Sequence, residues 1–296
     1  MATIAENIQT LRSIKSDIKN AILQKGGSVT DAFGTYAQAI TNLPSGGGGG
    51  TEMEDALVTR TISGTYYNDR VSVVGNGAFY GCGYLTSVNM QNCTSVGSNA
   101  FTNCTSLTSV NLPNCTYIGD SAFSKCNSLK SVDLPNCTYI GSGVFYYCKS
   151  LTSVNLPNCT SIDGNTFIGC SALTSVNLPL CEYIGGQTFA HCYRLQFVDL
   201  PKCRYVHYYG FASSPSISMV KLPICSIIQD GCFNDCEKLT QVYLNSVTSV
   251  TTISEWTFNR CPNLTSVYVP ASLVDAFKTA TNWSSISNKI VAYTEA

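Results

Sequence analysis

Sixteen cysteines, two histidines and a short run of glycines are the residues of this 296-residue chain whose chemistry asks first for an explanation. A zinc site needs ligands clustered two to four residues apart, usually in pairs. Only Cys232 and Cys236 lie that close. Twelve of the others, Cys82 through Cys203, instead fall 11 residues apart in two interleaved columns, each advancing 22 residues per step. Ser214 and Val247 stand at later positions of these columns, so thiol chemistry is not required there. Adjacent turns of a coil lie ~4.8 Å apart, within the Cα range of a disulfide, but parallel inward Cβ vectors hold the sulfurs too far apart to bond. The expectation is reduced, packed thiols and no metal site.

The remaining candidates for catalysis are equally sparse. His191 and His207 have no Ser, Asp or Cys partner at motif spacing, which argues against a triad and for surface histidines. Asp133 and Asp199 are 66 residues apart, three turns of a 22-residue coil, or about 14 Å. That is too far for the paired carboxylates of glycoside hydrolysis. Gly46–Gly50 lacks the Lys-Ser/Thr ending of a phosphate loop. The chain is therefore expected to be no enzyme and to need no cofactor.

The elements behind these columns come from a second beat. Phenylalanine recurs every 22 residues from Phe79 to Phe233, and again at Phe258 after 25. A fixed period of 20–29 residues marks a solenoid whose coils each supply a strand. In Leu107-Thr-Ser-Val110-Asn-Leu112-Pro, Val110 and Leu112 alternate with Ser109 and Asn111, as in a strand buried on one face. Pro113 ends it. Cys115, Ile118, Ala122, Phe123 and Cys126 then supply the inward positions of the returning half. Gly119, repeated at Gly97, Gly141 and Gly185, is read as the residue of a tight turn. Asn92, Asn114, Asn136 and Asn158 stand in Asn-Cys-Thr sequons, read here as turn residues because glycans stacked ~5 Å apart would collide.

From Val71 to Pro270 this pattern, with its Leu-Pro, Ile-Gly and Ala-Phe pairs, resembles the BspA-like (Treponema-type) leucine-rich repeat. The resemblance implies a repeat solenoid with a parallel β-sheet; nine strands would make a sheet about 40 Å long. The interval Asn245–Ile253 departs from the pattern by expansion. Residues 51–70 are assigned to an N-terminal cap with a strand at Leu57–Tyr66, residues 71–270 to the solenoid, and residues 271–296 to a C-terminal cap. In the latter, Ser272-Leu-Val-Asp275 reads as a capping box opening a helix to about Ala280, with Trp283 and a strand at Ile290–Tyr293 closing the last coil.

Residues 1–44 differ from the repeats. Ile4, Ile8, Leu11, Ile14, Ile18 and Ile22 share one face of an amphipathic helix that ends at Gly26-Gly27. A second short helix follows over about Asp31–Thr41, and residues 45–50 form a glycine-rich linker. So small a module either docks back on the solenoid or oligomerises; five consecutive glycines favour oligomerisation through Ile4, Ile8, Leu11, Ile18 and Ile22. Ile8–Ile22 together with Phe33–Ile40 resembles the leader of tail and fibre-type proteins of phages of gut bacteria. That resemblance implies attachment to other virion proteins through residues 1–44 and a homo-oligomer such as a trimer. It also implies a virion location, with assembly in the host cytoplasm and action outside it. Met1–Asn7 has no basic stretch leading into an apolar one, so no secretory signal is expected.

Charge narrows the partners. Net charge is −1 and charged residues make up 12% of the chain, against roughly 25% in a typical domain. That argues against a nucleic-acid footprint and a polybasic anchor, and no apolar run approaches the ~20 residues of a membrane span. The outward strand positions read Ser-x-Asn or Ser-x-Asp from Ser87 to Asn177, then become Phe197/Asp199, Met219/Lys221, Gln241/Tyr243 and Ser266/Tyr268. Aromatics and arginine gather nearby, as they do on recognition surfaces. This is either repeat degeneration near a cap or a patch for a host-surface glycan or protein. The candidate patch is Phe197, Met219, Tyr243, Tyr268, Tyr205, Tyr208, Tyr209 and Arg194. The expected function is a non-enzymatic phage tail- or head-fibre-like protein. The alternatives are a BspA-like bacterial adhesin and a purely structural fibre or decoration element.

Overall fold

In the computed structural model, residue 60 and residues 62–294 are described. The helices of residues 1–44, the linker 45–50 and residues 57–59 of the expected cap strand lie outside the described residues. Each coil has a face strand of about three residues, such as Ser109–Asn111, and a two-residue strand on the return, such as Tyr117–Ile118. Both pair in parallel with their equivalents 22 residues away, as in Ser87↔Ser109 and Tyr117↔Tyr139. Eight return strands make one continuous sheet from Val73–Val74 to Ile227–Ile228. Nine face strands lie within the solenoid, as expected, and Ser63–Tyr67 and Ile290–Ala292 add a parallel cap strand at each end.

The phenylalanines form a stacked column at the centre. From Phe79 to Phe258 successive ring centroids are 4.8–5.7 Å apart and the planes lie within 11° of parallel. Such contacts add about 0.5–1.5 kcal/mol per pair beyond area burial. Tyr66 closes one end edge-on to Phe79 at 4.9 Å, and Trp283 meets Phe258 at 5.9 Å at the other.

Two local expectations need correction. The repeated glycines are not left-handed turn residues. A Cβ on Gly119 would lie 2.7 Å from the Ser98 backbone nitrogen, and one on Gly185 only 2.4 Å from that of Gly164, so glycine is needed for close approach of adjacent coils. The left-handed residues sit two before and two after each phenylalanine from Phe79 to Phe233. They include Asn99 and Asn103, Ser121 and Lys125, and Gln187 and His191, all with φ between 55° and 62°. Among the described residues the N-terminal cap strand spans Ser63–Tyr67, and Arg60 ahead of it is left-handed. Finally, the capping box does not form. Ser272 lies inside a 3-10 turn, Ala271–Leu273, and the helix that follows, Val274–Thr279, has no side-chain cap.

The expanded interval has a structural role. Thr252 bridges to Ile227 in place of a ninth return strand, and the Trp283 indole donates to the Thr251 carbonyl at 2.7 Å. The expanded interval thus carries the seat of the C-terminal cap. No helix among the described residues is long and apolar enough to cross a membrane.

Candidate functional site

The thiols are built into the scaffold. All sixteen cysteines are buried and free. In one column the sulfurs from Cys104 to Cys236 donate to the carbonyl of a phenylalanine 25 residues earlier, for example Cys126 to Phe101 at 3.2 Å and Cys148 to Phe123 at 3.1 Å. Ser214 makes the same bond to Phe189 at 2.8 Å, which explains why a hydroxyl can replace a thiol there. In the other column the sulfur donates two residues ahead, as from Cys137 to the Tyr139 carbonyl. Burial pushes the thiols up, Cys159 to about 11 and Cys148 to about 12, so at neutral pH these two are not nucleophiles. The sequon asparagines are turn residues that bond the preceding coil, as Asn136 does to the Pro113 carbonyl at 2.8 Å. Among the described residues no three His, Cys, Asp or Glu side chains cluster as metal ligands.

The outward face changes character along its length. In the early coils the third strand position is an amide ladder, with Asn111 bonded to Asn89 at 3.0 Å and Asn177 to Asn155 at 2.7 Å. From Phe197 onward two columns take over in register. They are Phe197–Met219–Gln241–Ser266 and Asp199–Lys221–Tyr243–Tyr268. Tyr243 and Tyr268 stack at 4.6 Å, Tyr293 stands edge-on to Tyr243 at 6.3 Å, and the Lys221 ammonium lies 6.0 Å from the Tyr243 ring. Gln241 links the two phenols, accepting from Tyr243 at 3.3 Å and donating to Tyr268 at 3.4 Å. Burial first, then the neighbouring phenols of Tyr268 and Tyr293, push the Tyr243 hydroxyl above its ordinary value and keep it a donor.

Together these side chains line an open groove of about 620 Å³ with Pro223, Asn245 and Thr294. Met219, Tyr243 and Tyr268 of the expected patch are in it. Phe197, 58% exposed, sits one coil back in register with Met219. The other four stand apart. Arg194 is exposed in the turn before Phe197. Tyr205 lies on the return sheet, stacked on Tyr183 at 5.5 Å and bonded to the Gln229 side chain. Tyr208 and Tyr209 lie against Gly186 and Gly231 of the coils on either side, where a Cβ would strike their rings. The histidines are half-buried rather than surface groups. His207 packs 4.3 Å from the Tyr208 ring, and its Nδ1 is enclosed without a partner.

Asp199, Lys221, Pro223, Asn245, Tyr293 and Thr294 line the groove but lie outside the expected patch. The available signal was the cap strand itself: it continues the face in register, Tyr268↔Val291, so Tyr293 falls beside the tyrosine columns.

A leucine-rich repeat protein from Bacteroides ovatus is similar in structure, with 25% identity and a TM-score of 0.66 over 79% of this chain. This chain spans only 61% of that protein's length. The pneumococcal vaccine antigen PcpA shares the fold at 14% identity, with a TM-score of 0.51 over 79% of this chain and 68% of its own. No curated protein matches. The model of the BspA type leucine-rich repeat region matches residues 59–174 and 160–287 in six copies. A match over more than half of the sequence, on coils of the geometry above, means that the chain belongs to the BspA type leucine-rich repeat family.

Proposed function

We propose that this chain is a non-enzymatic recognition protein that displays its solenoid outside a cell or particle, where the groove around Tyr243 and Tyr268 engages a surface glycan or protein. One observation carries the reading: a ladder of outward amides bonded to one another gives way, over four coils, to half-buried tyrosines flanked by an exposed Asp199 and Lys221. Stacked aromatics beside charged groups are what recognition surfaces use. In the first version of this reading the protein is a phage fibre-like component, joined to the virion and to its own copies through residues 1–44. The resemblance of that segment to phage leader sequences supports this version. The second version, a bacterial cell-surface adhesin, is favoured by the family and by the likeness to a Bacteroides ovatus protein. Both use the same groove.

Binding of the full-length protein to host cells is expected to fall at least tenfold when Phe197, Tyr243 and Tyr268 are changed together to alanine. Equal binding would leave only a structural fibre or decoration role. Proteomics of purified phage particles beside surface-shaved bacterial cells separates the two versions. Light scattering should find the full chain oligomeric and residues 51–296 monomeric.

A further inference from the structure

We infer that the groove takes a short neutral saccharide, an inference that rests on the recognition reading above. The first argument is the state of its polar groups. In the early coils the outward amides are spent on one another, as in Asn177 with Asn155. In the groove, neither Asp199, Lys221 nor Asn245 makes a side-chain hydrogen bond or ion pair with another described residue; the ion pairs among those residues are Arg204–Glu182 and Arg260–Asp235. The groove therefore holds an acceptor carboxylate, a donor ammonium, an amide and the Tyr243 and Tyr268 phenols at the edge of an apolar wall of Met219 and the stacked tyrosine rings. A pyranose presents the matching surface: C–H bonds on its ring faces and a girdle of hydroxyls that each donate and accept.

The second argument is charge. Asp199 and Lys221 are register partners on adjacent strands, and among the described residues no other charged one lines the groove. Their charges cancel, so the site has no net field to select an acidic or a basic ligand. The third is size. A concavity of about 620 Å³ falls within the range of small-ligand clefts, roughly 300–1,000 Å³. A protein partner would instead require about 800 Å² of surface on each side.

The test applies the full-length protein to an array of immobilised neutral oligosaccharides (gluco-, manno- and galacto-configured di- to tetrasaccharides) beside sialylated, glucuronylated and glucosamine-containing ones. Hits are titrated calorimetrically at 50 and 500 mM NaCl. The expected result is binding to one or more neutral sugars, with affinity changing less than twofold between the two salts and falling at least tenfold in Tyr268→Ala and in Asp199→Ala. Thermal melting of each variant checks that the solenoid remains folded, and Tyr84→Ala, an exposed tyrosine on the strand Tyr84–Asn89 far from the groove, should bind the same sugar within threefold of wild type. Binding confined to charged sugars, or steeply salt-dependent binding, overturns the inference, as does an array without hits. In those cases a loss of cell binding in the triple alanine variant would leave the recognition reading standing, whereas unchanged cell binding would remove that reading as well.

Discussion

Asn155 donates its amide to the carboxylate of Asp133, 2.8 Å away on the preceding coil. Asp133 cannot do the same for Asn111, because a carboxylate accepts and has no N–H to give. The face sheet divides at that coil and again before Asp199, into segments of three, three and five strands. Val110 and Val176, on the strands just before the two breaks, are the only valines at their strand position left partly exposed. Replacing Asp133 by Asn should therefore join the first two segments. A gain of about 0.5–1 kcal/mol is expected, with unchanged slope in urea melts. No rise in midpoint would mean that the break has another cause.

Thiol burial sets an alkaline limit. Cys82, Cys159 and Cys261 are pushed up to about 11, and Cys137, Cys148 and Cys181 to about 12, burial being the leading cause in each. The folded state keeps protons that the unfolded chain releases near pH 8.5. Their contribution is complete below about pH 8.5 and is lost as pH rises through 11–12. Urea midpoints should fall steadily from pH 8.5 to 10.5, and a thiol reagent at pH 8 should label these cysteines only after unfolding. Rapid labelling of the native protein would contradict this.

Ser214 serves two backbone groups, donating to the Phe189 carbonyl and accepting from the Cys192 amide at 3.1 Å. Ser214→Ala leaves both unpaired in a fully buried place and should cost about 1–3 kcal/mol. Ser214→Cys should stay within about 1 kcal/mol of wild type, since neighbouring coils carry the thiol. Denaturation curves of the two variants decide the matter.

Two glycine substitutions should differ sharply. Gly185→Ala drives a methyl into the Gly164 backbone and should cost about 3 kcal/mol or more. Gly143 is left-handed at φ 61° but has room, its nearest neighbour being the Ser121 hydroxyl at 3.4 Å. Gly143→Ala should cost only about 1 kcal/mol. Equal losses by calorimetry would refute the distinction between close approach and backbone strain.

Trp283 ties the cap to the expanded interval. Trp283→Ala should cost about 3–5 kcal/mol, and hydrogen exchange should then rise over 251–253 and 271–294 before the central coils. Because Tyr293 lines the groove, ligand binding should fall with it. Uniform exchange along the solenoid would show that the cap is no separate unit.

Much of this was legible in the sequence because a period reports burial directly: Phe123 and Ile118 recur because their places in the coil admit nothing polar, and Cys126 because its place takes a small side chain able to bond a phenylalanine carbonyl. The left-handed columns were hidden by their occupants. Lys125, Tyr147, Gln187 and His191 share one backbone conformation without sharing side-chain chemistry. The reason for glycine at Gly185 was hidden too, since a close approach involves a neighbour 21 residues away, Gly164, rather than the local chain. The groove was half readable. Met219, Tyr243 and Tyr268 depart from the pattern, while Tyr293 joins them only once the cap strand is known to run parallel to the face.

The single ring column and the parallel strands also determine how the protein bears load. The hydrogen bonds between coils run along the axis of the stack, so a pull between its ends loads them in series and strips one coil at a time. Each coil released lengthens the tether by roughly 70 Å, while the coils that remain keep their stacked rings. A cell or particle held through such a molecule would be reeled out in steps instead of being torn free at once.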